Sequence, residues 1–318
     1  MVSNDLLKFA AKAYDFNEET LYFISDSTNQ IYTFNKDGKA YILRFSERPA
    51  EKFGETKAEM DWLYYLAKNN VNVALPLESG SSELAVSTRQ DGKNFVITSF
   101  ETVKGTFWDK NDPERWNANI FRNWGKVMGD IHRLTKDFKS IGNNARGVFD
   151  GRFSLRDSVK SCPSVNMIVE DLIKEMMALP KDKDSYGLIH NDIHQWNFYI
   201  DGDSINVFDF DDSLYGWFAL DIGIALYHGL WWGRKNDAGH DFTVEIISGF
   251  IDGYLSSNHL SDFWLSKIPL FMKFRQICKF SWFFNPESAD GHQRERIRNI
   301  ENGILFSDCE ISPSLFKI

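Results

Sequence analysis

The run Leu188-Ile189-His190-Asn191-Asp192-Ile193-His194-Gln195-Trp196-Asn197-Phe198-Tyr199-Ile200 gathers two imidazoles, a carboxylate and three carboxamides between apolar residues. Asp201-Gly202-Asp203 follows, a strong hairpin signal, and then Ile205-Asn206-Val207-Phe208-Asp209-Phe210-Asp211-Asp212. Residues 198–200 and 205–208 are short β-prone runs, so the polar side chains fall at strand ends. A loop carrying Asp192 and Asn197 enters the hairpin and Asp209 leaves it. Three oxygen-bearing side chains at one end of a ribbon outline a metal-phosphate site. From His190 to Asp221 there are seven Asp and no Lys or Arg, so the cations must come from elsewhere. Mg²⁺ suits such a site, because it takes hard oxygens from one or two carboxylates and completes its shell with water and substrate phosphates.

Two other readings of these residues stay open at this point. One is a solvated acidic loop, against which the flanking apolar strands argue. The other is a transition-metal hydrolase site built on His190, Asp192 and His194, since imidazole and carboxylate together suit zinc or iron. The remaining histidines, His132, His228, His240, His259 and His292, form no paired motif such as H-E-x-x-H.

The pattern His-x-Asp-x-His-x-x-Asn, then a hairpin, then Asp-Phe-Asp, resembles the aminoglycoside phosphotransferase and choline kinase superfamily, whose small-molecule kinases share the protein-kinase fold. The resemblance implies Asp192 as the catalytic carboxylate, Asn197 as a metal ligand and Asp209 as the main metal ligand. Asp211 is a further candidate for a second metal, for substrate or for nearby backbone. His190 is expected to shape the loop. Asn191 and Trp196 stand where the family usually has Gly, which puts the local backbone in question. Asp221, in Leu220-Asp221-Ile222-Gly223, resembles the family's Asp-x-Ala signature with Gly223 in place of the Ala.

The elements that must position these groups are legible in outline. Residues 20–25, 30–34 and 40–45 are β-prone, the last two joined across Asp37-Gly38. Residues 54–69 read as a helix, and 71–77, 83–89 and 93–100 as strands, with Asp91-Gly92 a second hairpin turn. Residues 117–136, 165–177, 243–255, 263–283 and 294–305 recur at helical period, and 140–157 read as a loop. Residues 216–233 carry Asp221 and His228 inside an apolar run and read as a buried helix rather than a membrane span.

This order gives an α+β chain with a protein-kinase-like two-lobed fold: residues 1–101 form an antiparallel sheet plus helix, and 102–318 a mainly helical lobe with the catalytic loop and acceptor site. The resemblance carries further residues with it. Arg44 stands in place of the phosphate-binding Lys, its planar fork differing from a point charge, and Glu59 is its expected partner. Asn29, in the polar turn Asp26-Ser27-Thr28-Asn29, lies where kinases cover the nucleotide phosphates, although no G-x-G-x-x-G is present. The backbone of Ser99, Phe100 and Glu101 is expected at the adenine. His132 is expected to be structural.

Composition narrows the classes. A 318-residue chain with 43% hydrophobic residues can bury a full core. A formal net charge of −9 argues against nonspecific nucleic-acid and anionic-membrane partners. Cys162, Cys278 and Cys309 form no disulfide framework, and the N-terminus lacks a signal-peptide pattern, so a cytoplasmic setting is expected. The expected activity is transfer of the γ-phosphate of ATP or GTP, with Mg²⁺, to a hydroxyl of a small molecule such as an amino alcohol or aminoglycoside. The alternative is a kinase-fold nucleotide-binding or structural protein without catalysis. Surplus Asp at the site, Asp211 and Asp212 included, favours a cationic acceptor. Trp217, Trp231 and Trp232 are candidates for a cation-π wall, weighed against ordinary burial in the core.

Overall fold

The computed structural model describes residues 2–140, 145–152, 155–233, 240–288, 290–305 and 313–316. Parts of the loop expected at 140–157, and Cys309, lie outside the described residues. The chain divides into two units. The first comprises Met1–Lys104, Phe138–Gly147 and Asn206–Asp211, the second Gly105–Asp137, Val148–Ile205 and Asp212–Ile318. The expected division after residue 101 lies close to the first of these boundaries, after Lys104, and the chain returns twice to the first unit.

In the first unit β1 (Tyr22–Asp26), β2 (Gln30–Lys36), β3 (Lys39–Glu47), β4 (Ala85–Gln90) and β5 (Lys93–Glu101) form one sheet in the order β1-β2-β3-β5-β4. Two of its turns use the Asp-Gly pairs: Asp37 and Gly38 have φ 51° and 76°, Asp91 and Gly92 49° and 79°. Positive φ at both central residues matches the strand twist of a type I′ hairpin. Alternation along β3 then sorts the side chains. Leu43 and Phe45 face a core with Phe34, Ile97, Leu6, Ala10 and Tyr14, the last three from α1 (Asn4–Tyr14). Arg44 points the other way and meets α2 (Phe53–Lys68), which presents Glu59.

Two features differ from the sequence reading. Helix α1 is an added element; its signals are Ser3, whose hydroxyl accepts the Leu6 N–H, and the four-residue apolar spacing Leu6, Ala10, Tyr14. Residues 71–77 form no strand, only a parallel bridge of Val73 to Val207 and an antiparallel bridge of Pro76 to Phe100. Pro76 has no N–H to give to a continuing ladder.

The second unit contains every helix expected there: α3 (Ala118–Thr135), α4 (Pro163–Met177), α5 (Phe218–Gly233), α6 (His240–Ser257), α7 (Asp262–Phe283) and α8 (Gly291–Glu301). Gly303, at φ 68°, follows the end of α8 and explains why it stops short of 305. β6 (Tyr186–Ile189) pairs antiparallel with β9 (Leu214–Trp217), Ile189 opposite Leu214 and Tyr186 opposite Trp217, so the loop that carries Asp192 and helix α5 leave opposite ends of this ribbon. β7 (Phe198–Asp201) and β8 (Ser204–Val207) are the hairpin strands. No described helix is long and apolar enough to cross a membrane.

Helices α3 and α6 cross at glycine contacts. A Cβ on Gly125 would lie 1.9 Å from the Phe250 carbonyl oxygen, and one on Gly253 1.8 Å from that of Arg122. Backbone is met on both sides, so no side chain can swing away. Gly125→Ala should therefore lower stability by about 1–3 kcal/mol, the cost of overpacking, despite Ala's better helix propensity. Thermal unfolding checks this: a midpoint several degrees lower is expected, and an unchanged or raised midpoint would refute the tight crossing.

Candidate active site

The loop after β6 is built around the Asp221 carboxylate. Asp221 is fully buried at the start of α5. One oxygen accepts the His190 N–H (2.9 Å) and lies 3.1 Å from His132 Nε2; the other accepts the Asn191 N–H (2.8 Å). These bonds turn the chain sharply. Asn191 sits at φ 67°, a region that Asn tolerates better than other non-glycine residues, and its side-chain amide donates to the Asp212 carbonyl. The departure from Gly is therefore accommodated.

His132 continues the network. Asn258 Nδ2 donates to Tyr254 Oη (2.8 Å), which lies 2.9 Å from His132 Nδ1. A neutral His132 satisfies every partner: Tyr254 donates to Nδ1 and Nε2–H donates to Asp221. Burial pushes the His132 pKa below its ordinary value, outweighing the pull of Asp221. The structural role expected of His132 thus takes the form of a buried hydrogen-bond relay.

Asp192 emerges from this turn partly exposed. Its backbone N–H reaches His190 Nδ1 at 3.3 Å. Oδ1 accepts from Arg275 on α7, and Oδ2 lies 3.4 Å from His194 Nε2. Burial alone would raise its pKa, but His194 and Arg275 outweigh this and hold the carboxyl well below the usual range. It is an ionised hydrogen-bond acceptor across the physiological range.

Asn197 is oriented by the same loop. Its Nδ2 donates to the Asp192 carbonyl (2.9 Å) and to Asp192 Oδ2 (3.3 Å), which leaves Oδ1 to accept. An amide oxygen and the Asp209 carboxylate are hard donors that fit Mg²⁺. Among the described residues no three His, Cys, Asp or Glu side chains gather as a metal-holding group. Each oxygen is of the kind that Mg²⁺ takes when the rest of its shell comes from water and phosphate.

The first unit carries the remaining expected residues. Arg44 is buried and holds Glu59 bidentately, at 2.9 and 3.0 Å, while its Nε donates to Thr98. Its guanidinium lies 5.3 Å from the Phe100 ring centre. Burial opposes its charge, and Glu59 and Asp211 more than restore it. The expected Arg44–Glu59 pair is present, and most of Arg44's donors serve it.

In 209–211 the side chains alternate. Phe210 is buried against Trp62, with ring centres 5.3 Å apart. Asp209 is exposed at φ 65°, and Asp211 turns to arginine. One oxygen of Asp211 accepts from Arg48 and lies 3.9 Å from Arg44; the other accepts from Asn29 (3.0 Å). Arg146 donates to the Asp211 backbone carbonyl. Burial would raise the Asp211 pKa, but Arg44 and Arg48 draw it down to about 2.

Several of the expected residues have partners within the protein. Asp211, a candidate for a second metal, for substrate or for nearby backbone, is held by Arg48 and Asn29 in the structure. The Asn29 side chain, expected over the phosphates, is held between Asp211 and Ser46. Of the backbone expected at adenine, the Ser99 carbonyl accepts the Leu77 N–H and the Glu101 N–H donates to Leu75, both at 2.8 Å. Trp217 is a core residue donating to the Pro180 carbonyl. Trp231 already carries Lys279 and Arg296 on its ring, at 5.3 and 5.4 Å. Residues the sequence reading omits are Arg48, Arg146 and Arg275. The first two carry no motif. Arg275 had one signal, a charge inside the apolar run Phe271-Met272-Lys273-Phe274-Arg275-Gln276-Ile277-Cys278.

Residues 21–262 match the family model described as the phosphotransferase enzyme family. The chain is 32% identical to amicoumacin kinase of Bacillus subtilis (strain 168), covering 96% of this chain and 94% of that protein. Among solved structures, amicoumacin kinase hAmiN in complex with AMP-PNP, Ca²⁺ and Ami superposes with a TM-score of 0.85 at 28% identity, covering 95% of this chain and 94% of that one. The microcompartment-associated aminopropanol kinase gives 0.72 at 20% identity, covering 95% of each chain, and shares the fold.

The buried histidines give the site a pH signature. The folded pKa of His132 is lowered from 6.5, and that of His228 well below it, burial being the first cause of each. The stabilisation from keeping them neutral is complete above 6.5 and is lost as pH falls toward the folded values, because the unfolded chain then binds protons that the fold refuses. Each contributes a slope approaching about 1.4 kcal/mol per pH unit. The urea midpoint should drop between pH 7.5 and 5.5, and His132→Gln should flatten the drop. Equal midpoints at the two pH values would contradict the neutral assignment.

Proposed function

This chain belongs to the phosphotransferase enzyme family, and from that premise we propose that it moves the γ-phosphate of ATP or GTP to a hydroxyl of a small molecule, with Mg²⁺ as the divalent ion. The observation that carries the reading is the coupling of Asp192 to Asn197: one loop holds an ionised acceptor of hydrogen bonds and turns an amide oxygen outward beside it.

Phosphoryl transfer through a loose transition state asks mainly for positioning and charge neutralisation. Asp192, held well below the ordinary carboxylate range, is a weak base. It aligns the acceptor hydroxyl and receives its proton late, when the oxygen has become acidic. Arg275 fixes the carboxylate's direction. Asn197 and Asp209 are the proposed metal ligands, and the cation they hold would neutralise phosphate charge. Arg44 and Arg48 form the proposed cationic ground for the nucleotide phosphates, with Asp211 and Glu59 setting their directions. The adenine edge is assigned to the backbone from the Glu101 carbonyl to Val103, since the Ser99 carbonyl and the Glu101 N–H are bonded to Leu77 and Leu75. A cytoplasmic setting, where nucleotide is available, belongs to the same reading.

The acceptor is a small alcohol. The reading does not include an ammonium group beside Asp192, because Asp211 is paired within the first unit and the charge gathered at Asp192 is positive.

Calorimetry with Mg-ATP and Mg-GTP, together with two substitutions, tests the roles. Asp192→Asn should lower kcat by about 10²-fold or more with nucleotide affinity close to wild type, whereas Asp209→Asn should also weaken Mg-nucleotide binding. Equal loss of nucleotide affinity in both variants would overturn the division of roles, and no heat with either nucleotide would overturn the reading itself.

A further inference from the structure

Beside Asp192 the second unit holds two hydrogen-bond donors that the fold does not use. His228 is buried, and its Nε2 accepts from Arg275 Nε at 3.0 Å, so the ring proton sits on Nδ1. Among the described residues that Nδ1–H has no partner, although an unpaired buried donor ordinarily costs stability. One helical turn beyond Arg275 on the same face of α7 lies Lys279, 8% exposed. Among the described residues it has no carboxylate partner. Its ammonium is instead flanked by aromatic rings, 5.3 Å from Trp231 and 4.8 Å from Trp282. Burial, with Arg275 adding to it, pushes the Lys279 pKa down to about 8. A buried lysine without an anion is rare unless paired, and Trp282 remains 37% exposed beside it.

Both groups donate and neither can accept in these states. What completes them must bring oxygen with lone pairs, and it must reach the ammonium past the exposed rings of Trp282 and Phe283. We propose that this niche selects the acceptor: an alcohol that carries a carboxylate or carbonyl oxygen next to a flat aromatic group, with the oxygen on Lys279 and His228 and the ring on Trp282 and Phe283. The inference rests on the phosphotransferase reading only for the word acceptor; the niche itself is a binding site whatever the reaction. It reverses the charge that the acidic segment suggests, because Asp192, Asp211 and Asp221 have partners, whereas His228 Nδ1 and Lys279 have no carboxylate partner among the described residues.

The test uses three probes of one skeleton, 3-phenyllactate, 3-phenyllactamide and phenylalaninol, titrated against the full chain by tryptophan fluorescence without nucleotide. Lys279→Met removes the charge and keeps the bulk, and Lys279→Arg keeps the charge; thermal unfolding confirms that each variant folds. A charge-assisted hydrogen bond corresponds to about tenfold in affinity. Phenyllactate and phenyllactamide should bind at least about tenfold more tightly than phenylalaninol; Lys279→Met should erase that preference and Lys279→Arg should retain most of it. Equal or tighter binding of phenylalaninol, no binding of any probe, or an unchanged preference in Lys279→Met would overturn the proposal. Mg-ATP binding on the same samples is a separate readout, so a protein that binds phenyllactate and not nucleotide keeps the niche and loses the kinase.

Discussion

A single buried carboxylate sets the geometry of the second unit's chemistry. Asp221 takes the N–H groups of His190 and Asn191 and the Nε2 of His132. A carboxylate without water needs that many donors, since an unpaired buried charge costs far more than any one hydrogen bond returns. The consequence is mechanical. The chain cannot leave β6 in an extended direction, Asn191 is forced to positive φ, and Asp192 is delivered beyond the turn with its backbone N–H on His190. Asn197 then ties the far end of the loop back to Asp192. The residue that touches the acceptor hydroxyl in the proposed function is thus placed by one that never meets it.

The first unit solves a different problem, how to keep several arginines pointed without spending them. Arg44 is buried with Glu59, and Arg48 and Arg146 are drawn to Asp211. The backbone turn at Asp209, φ 65°, and the burial of Phe210 against Trp62 separate the two neighbouring carboxylates. Asp209 is left exposed while Asp211 is neutralised. Two carboxylates two residues apart therefore do different work, and the difference comes from the cations packed around each.

Elements that depend on local chemistry were readable from the chain. The Asp-Gly hairpins, the helix spans and the family's His-x-Asp-x-His-x-x-Asn pattern all announce themselves within a few residues. What depends on long-range pairing was not. Nothing near Asp211 in sequence foretells Arg48 or Arg146, and Arg275 lies 83 positions from the carboxylate it holds. Counting seven Asp in one segment suggested an acidic site, whereas the folded environment of Asp192 is basic. Residues 71–77 looked like a strand by composition, yet they form only isolated bridges to Val207 and Phe100. The spacing of Arg275 and Lys279 inside an apolar helix is, like the Ser3 cap and apolar spacing of α1, an overlooked local signal, since two charges four apart on a buried face need a reason.

The account's central claim is that Asp221 positions Asp192, and the isosteric change Asp221→Asn tests it most directly. The amide keeps the shape but replaces one acceptor oxygen with a donor facing N–H groups. Steady-state phosphoryl transfer should be measured on variant protein shown to be folded by thermal unfolding. The account predicts a kcat reduced by about 10²-fold, comparable to loss of a positioned base, with the KM for Mg-nucleotide near wild type. A folded variant with wild-type kcat would contradict it.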